Sequence, residues 1–559
     1  MVLQAALTAL FLFASPDAVH LNYSVVVHLN ENGAITEQTS TAVIPLNGMG
    51  VQHYSALSIS FREGMEDIRV TEARVGHWRG GRGSSEGYIE TGPHSMLSGA
   101  GRMESSYKET LVTMPGVEVG DTVYLEIERI ITELPLSDVY SYTFSPVMED
   151  SVASSSFTVI NDSERQLIST DSRSSFVFSA SSPLPEHPLA EYCRNYVSIA
   201  SGTPEELSAD ASQTLSDLSH TDCAEIGEIL QETGSSPEAL RAWVAENITY
   251  IGAEAGLWPG WSPRTPKQTL EDRSGVCRDR AVLLTWMLLE AGYEAYPALV
   301  SSSGETPSLV DGRSFDHMIT VYREGDSAPW QLLDPTPEGL PENAGISFGL
   351  RGAGYLPVTP SGSQLNRIPV TGWNDTLDIS ITGTIAGDLI TGTLEAEAFG
   401  APLELVSTLY TRSAPSLVNE MFRRFFGAAE CSDVTMSGNK LTVHGTWHLC
   451  RTENALLLPG LRDVSLPGTR LASMLLPVLP DSFLPDAPAV EILTITVPSP
   501  WPSPVLPEEC RTAGYSSSVA FEEGNLILHE SADLSAGAEG FSETLYARSG
   551  TSARTVVSK

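Results

Sequence analysis

Cysteine and lysine are both scarce in this sequence. Cysteine occurs six times in 559 residues, at positions 193, 223, 277, 431, 450 and 510, and never as a CxxC pair. The commonest zinc and thioredoxin-like signatures are therefore missing, and neither a metal nor a cofactor is expected. Lysine occurs four times, as Lys108, Lys267, Lys440 and Lys559, so nearly all positive charge is guanidinium. Basic residues of both kinds number 32 against 70 acidic ones, a net charge of −38. Such a balance repels phosphate backbones and anionic lipid, and nucleic-acid binding is not expected.

Long apolar runs are lacking as well. Even MLLPVLPDSFLPDAP at 474–488 is broken by proline and acid. No stretch reaches the eighteen or so residues of a spanning helix, so no stable membrane insertion is expected. The opening MVLQAALTALFLFA has the length of a signal-peptide core, but no Lys or Arg precedes Arg62 and no small-x-small cleavage site follows. Residues 1–18 are read as an export segment with weak flanks, and a periplasmic or secreted protein is expected. In that setting Cys431 with Cys450, and Cys193 with Cys223, are candidate local disulfides, although sequence does not decide pairing.

What is present reads as globular: 41% of residues are hydrophobic and 18% charged. The length exceeds what one core serves, and the pattern changes twice along the chain. From 19 to 185, runs such as LNYSVVVHLNENGAIT and DTVYLEIERIITEL alternate apolar and polar residues between turn signals, which predicts a β-sandwich. NENG at 30–33 is a predicted hairpin turn. From 186 to 365, PEALRAWVAENI (237–248) and CRDRAVLLTWMLLEAG (277–292) read as helices, followed by strands at 294–301, 315–323 and 329–334, an α+β domain. From 366 to 559, short alternating segments return, predicting a mainly β C-terminal domain.

The 277–292 segment is apolar nearly all round, which predicts a buried helix. Ser274 is the expected N-cap and Gly292 the expected stop. Cys277 then occupies the first turn, where the positive end of the helix dipole favours a thiolate. A lone helical cysteine is more often a small core hydrophobe. The segment FDHMITVYREGDSAPWQLLDPT adds a His and an Asp on two strand-like runs around Gly325-Asp326, a pair favoured in two-residue hairpins. His317 and Asp334 lie eight residues to either side of that turn, so they are predicted to face each other directly, with the carboxylate orienting the imidazole. The helix beginning at Cys277 is the expected neighbour of the other ring nitrogen.

Taken in order, GVCRDRAVLLTWMLLEAGYEAYPALV, FDHMITVY and WQLLDPT resemble the transglutaminase-like core found in many bacterial proteins, over roughly 237–337. The resemblance implies a papain-like/transglutaminase-like α+β fold with Cys277 as nucleophile, His317 as base and Asp334 as third member. Arg278 and Asp279 match the usual pair after the cysteine, whereas Val276 stands where many relatives carry an acid. The N-terminal sandwich is similar to a domain of unknown function often placed before such cores. The implied activity is acyl transfer or hydrolysis on protein or peptide amides through a thioester, with a protein or peptide as partner. The Cys277 backbone N–H and the side chains of Tyr250, Trp258 and Trp261 are candidate oxyanion donors. The competing reading is an inactive scaffold whose β-domains bind a protein or glycan. His444, His448 and Cys450 fall at even offsets in LTVHGTWHLC, a pattern that fits a plain strand better than a metal site.

Overall fold

The computed structural model describes residues 17–77, 84–86, 88–95, 107–145, 150–170, 175–179, 197–219, 223–251, 263–302, 306–325, 328–337, 340, 345–369, 375–412, 417–426, 428–451, 455–457, 490–500, 502–506, 510–511, 515–533 and 556–558. The N-terminal apolar run, the 474–488 stretch, Cys193, Asp326, Trp258 and Trp261 lie outside the described residues. The chain divides into two compact units, Met1–Thr336 with Ala353–Arg367 and Pro337–Gly352 with Ile368–Lys559. Among the described residues no helix is long and apolar enough to cross a membrane.

The first unit begins with strand β1 (Ala18–Leu29), which pairs antiparallel with β2 (Ile35–Pro45). The period-two pattern of SVVVHL is realised: Val25, Val27 and Leu29 are buried, while Val26 and His28 alternate with them. Asn30 accepts from the Gly33 N–H at 3.0 Å, and Gly33 adopts φ +87°, so the predicted NENG turn forms around the glycine that tolerates it. Strand β3 (Thr122–Ile131) pairs with the other edge of β2 within an eight-stranded sheet. A small sheet that includes Ser141–Phe144 and Val197–Ala200 packs its Phe144, Val197 and Ile199 against Val25, Val27 and Phe157 of the large one. Two layers around one apolar seam make the expected sandwich.

The α+β part of this unit is organised by one buried helix. Helix α1 (Pro237–Asn247) leads to a two-residue strand β4 (Thr249–Tyr250), helix α2 (Pro266–Asp272), strand β5 (Ser274–Gly275) and helix α3 (Cys277–Glu290). Strands β6 (Glu294–Ser301), β7 (His317–Arg323), β8 (Gln331–Leu333), β9 (Gly354–Pro357) and β10 (Asn366–Arg367) form an antiparallel sheet in the order β8-β7-β6-β9-β10. Helix α3 is apolar all round because it has neighbours all round. Ala281 and Val282 pack with Leu299, Phe315 and Met318, whereas Leu283, Leu284, Met287 and Leu288 pack with Leu240, Val244 and Tyr322. Each fully buried leucine there contributes about 2 kcal/mol of transfer free energy.

Both ends of α3 show how the sequence sets its limits. Gly292, at φ +93°, follows the last turn; its N–H donates to Leu289 O and the Tyr293 N–H to Leu288 O, both at 3.0 Å, a Schellman stop. The start differs from the expectation: the N-cap is Val276, not Ser274. Ser274 and Gly275 are used in parallel pairing with Thr249 and Tyr250. The Asp279 carboxylate, in the first turn, does the capping instead, accepting the Val276 N–H at 2.9 Å.

The second unit contains an eight-stranded sheet. It includes β11 (Thr376–Ala386), β12 (Leu389–Phe399), β13 (Glu430–Ser437) and β14 (Lys440–His448), with helices α4 (Ala401–Arg412) and α5 (Val418–Phe425) inserted. Leu394, Phe422, Phe426 and Trp447 share its core. Cys431 is a free thiol, as is Cys223, so neither proposed disulfide forms at these residues. Cys431 faces Gly445 across the ladder, and Cys450 sits five residues farther along. His444 Nδ1 is hydrogen-bonded to Thr393 Oγ1 at 2.9 Å. Among the described residues no cluster of His, Cys, Asp or Glu is arranged to hold a metal.

Candidate active site

The site is assembled from the start of α3, the start of β7 and the end of β8. Cys277 is the first residue of α3, half-buried, with its backbone N–H among the unpaired donors of the first turn. Two features hold this turn. Asp279, 3% exposed, accepts the Val276 N–H through Oδ2 and the Arg264 N–H through Oδ1 at 2.8 Å. Gly275 leaves the room this needs, since a Cβ there would lie 2.7 Å from Asp279 Cβ. The Arg278-Asp279 pair thus includes a residue that fixes the turn carrying Cys277.

His317 opens β7, its backbone paired with Val300 of β6. Farther along the strand, Met318 and Tyr322 join the cores around α3, and Thr320 Oγ1 donates to the carbonyl of Ala281 in α3 at 2.9 Å. The helix and the His-bearing strand are therefore tied one turn away from Cys277. His317 stands at the first position of the strand, and the Cys277 sulfur is among the groups that raise its pKa.

Asp334 follows β8 and is 2% exposed. Its Oδ2 lies 2.9 Å from His317 Nε2, and its Oδ1 accepts the Thr336 N–H at 2.8 Å. The expected face-to-face pairing is corrected by the ladder: Thr320 faces Leu333, Val321 faces Leu332 and Tyr322 faces Gln331. Those pairs are displaced by two residues from a turn centred on Gly325-Asp326, because β7 ends at Arg323 and β8 starts only at Gln331. An even displacement keeps His317 and Asp334 on the same face, within diagonal reach.

Arg280, fully buried on α3, was not singled out from sequence. Its Nη1 donates to the carbonyls of Pro335 at 3.1 Å and Thr336 at 2.9 Å, and its Nη2 donates to Ile248 O. It clamps the turn that follows Asp334 to the helix that starts with Cys277. An Arg three residues after the cysteine, immediately before the helix's long apolar run, was the available signal.

The electrostatics follow from these contacts. Burial alone would disfavour a charged His317 ring, but Asp334 and the Cys277 sulfur outweigh it, and the pKa is pushed up to about 10. At neutral pH the imidazole carries its second proton. With Nε2 on Asp334, Nδ1 is the nitrogen left for the sulfur. Tyr250 pairs with Gly275 across β4 and β5, under the Arg280 guanidinium at 5.4 Å. Its hydroxyl pKa is raised, first by burial and then by Cys277, so it stays a donor. Of the three aromatic oxyanion candidates, Tyr250 is the one among the described residues.

Comparison with known proteins agrees with this organisation. Residues 224–335 match the model of the transglutaminase-like superfamily, and residues 31–179 match DUF3857, a domain of unknown function with solved structures. A solved protein from Parabacteroides distasonis ATCC 8503, described as a "putative protease", is similar over 98% of this chain and 100% of its own, with a TM-score of 0.57 at 11% identity. At that identity the likeness is one of fold. Leukotriene A4 hydrolase from Saccharomyces cerevisiae (13% identity, 33% of this chain and 29% of that one, TM-score 0.19) also aligns. So does an M1 zinc metallopeptidase mutant from Deinococcus radiodurans (12% identity, 33% and 42%, TM-score 0.19). Scores that low say nothing about this chain. No curated protein matches it.

Proposed function

From a chain that carries a transglutaminase-like domain behind a DUF3857 domain, we propose a cysteine enzyme that performs acyl transfer or hydrolysis on protein or peptide amides through a thioester. The observation that carries this reading is the 2.9 Å His317–Asp334 hydrogen bond together with Cys277 at the first turn of α3, the carboxylate and the sulfur both favouring a protonated imidazole. The Cys277 sulfur attacks the amide carbonyl carbon, and the carbonyl electron pair moves onto oxygen. The Cys277 backbone N–H and the Tyr250 hydroxyl are the donors proposed to meet that oxyanion. As the tetrahedral centre collapses, the C–N bond breaks, the leaving amine takes a proton from His317, and a thioester remains. Water or an amine then adds to the thioester while His317 accepts its proton. Expulsion of the Cys277 thiolate restores the starting pair.

Asp334 fixes the ring's orientation and offsets its charge throughout, and is a positioning residue in this scheme. The apolar N-terminal run supports action outside the cytoplasm. The test is the intact mass of the protein after incubation with glutamine-containing peptides and with simple amides. An acyl adduct on Cys277 that is absent from Cys277→Ala is expected. Iodoacetamide at mildly acidic pH should also label Cys277 well before Cys223 and Cys431. Equal, slow labelling of all three thiols and no adduct would return the domain to the scaffold reading.

A further inference from the structure

An ionic cluster with Asp311 and Tyr140 buried and Arg313 and Glu37 partly buried lies just before His317, and it joins the sandwich to the α+β part of the same unit. Gly312–Ser314 form a short 3₁₀ turn capped by Asp311, which is 1% exposed. Asp311 Oδ2 accepts the Ser141 N–H at 2.8 Å, and Oδ1 accepts the Arg313 N–H at 2.8 Å. The Arg313 guanidinium donates to Asp311 Oδ2 at 2.9 Å, to Ser141 O at 2.8 Å and to Glu37 Oε1 of β2 at 2.9 Å. Tyr140, fully buried, donates its hydroxyl to the same Glu37 oxygen at 2.9 Å and lies under the guanidinium at 4.9 Å. Backbone packs equally closely: a Cβ on Gly312 would stand 2.3 Å from Pro135 O.

The segment between this cluster and the site has little freedom. Phe315 is 3% exposed in the core with Ala281 and Met318, and the Asp316 N–H donates to Val300 O at 3.1 Å, one rung before the Val300–His317 pair. The sandwich thus holds the entry into β7 by directional charged bonds, where apolar packing alone would let the strand slide. Resting on the reading of Cys277 and His317 as a reactive pair, we propose that Arg313 is a positioning residue. Through Glu37, Tyr140 and Ser141 it makes the N-terminal domain a required part of the active site. Neither Arg313 nor Glu37 is assigned any contact with substrate.

The test uses the full chain. Alkylation of Cys277 by iodoacetamide is followed by site-resolved mass spectrometry from about pH 5 to 9. Cys223 and Cys431 serve as internal controls, with circular dichroism for the fold. For Glu37→Gln and Arg313→Met, the acid-side rate at Cys277 is expected to fall at least about tenfold, with the profile moving toward that of an ordinary thiol while the control thiols and the fold are unchanged. Arg313→Lys, which keeps charge but not the fork, should recover part of the rate. Should the charge variants fail to fold, Tyr140→Phe removes one hydroxyl from the same cluster and is expected to move the profile in the same direction. Wild-type profiles in folded variants would overturn the proposal and leave the Cys277–His317 reading standing. A wild-type protein with no acid-side reactivity would remove both.

Discussion

His317 Nε2 and Asp334 Oδ2 are 2.9 Å apart although the two residues do not stand opposite each other in the ladder that joins their strands. The bond is diagonal, made possible by an even displacement and by Asp334 lying just past the end of β8. In the proposed mechanism such a carboxylate orients the ring and carries no bond-making step.

Asp334→Asn is accordingly expected to leave the fold intact and to lower acyl transfer on the order of a thousandfold or more, because the amide disturbs the proton arrangement His317 needs. That loss corresponds to about 4 kcal/mol in the barrier. It should not add to the loss from Cys277→Ala, since the groups act together. Steady-state kinetics of the single and double variants check this; retention within about twofold would make Asp334 structural.

The raised His317 pKa has a consequence for stability. A ring that titrates at about 10 in the folded protein and near 6.5 when unfolded binds its proton more tightly when folded. Its contribution is present in full below about pH 6.5 and is lost as pH rises toward 10. The difference in unfolding free energy between wild type and His317→Gln should therefore shrink steadily across that window in urea titrations. A difference independent of pH would show that the ring is not held charged.

Arg280 is expected to matter more than its distance from any substrate suggests. Arg280→Ala leaves the carbonyls of Pro335, Thr336 and Ile248 without their charged donor in a buried place. A loss of about 3 kcal/mol or more is predicted. Arg280→Lys, a single ammonium in place of a fork, should recover only part of it. Chemical denaturation of both variants measures the effect, and a midpoint equal to wild type in Arg280→Ala would refute the clamp.

Gly275→Ala tests the turn that presents Cys277. The added Cβ would meet Asp279 Cβ at 2.7 Å and Oδ2 at 3.1 Å, pushing out the carboxylate that caps α3. A destabilisation of about 1–3 kcal/mol is expected, together with slower alkylation of Cys277. A folded variant with unchanged thiol reactivity would show that the cap does not set the position of the sulfur.

The helix over Cys277–Glu290 was legible because its signals are local: a run apolar on every side and a glycine at the position that must turn left-handed. The strands Glu294–Ser301 and His317–Arg323 were legible from composition and turn residues. The N-cap was misplaced because Ser274 is claimed by pairing with Thr249, a partner on a neighbouring strand that no local pattern announces. The hairpin register was misplaced by two residues because β8 is only three residues long, so the connection is longer than a two-residue turn. The error was harmless to the site because side chains repeat every second residue and an even slip does not change the face.

What the sequence determined by itself was the identity and order of the groups: a cysteine opening a buried helix, a histidine opening a strand, an aspartate closing the next. Side-chain chemistry and short-range periodicity are carried by the residues themselves. The tertiary structure decided the distances between them and what enforces those distances. Arg280 reaching carbonyls more than fifty residues away, Thr320 bonded to Ala281, and Arg313 joined to Glu37 of the sandwich are contacts between segments remote in sequence. They exist only once the sheet, the helix and the sandwich have packed, because a buried charge finds its partners by position in space and not by spacing along the chain.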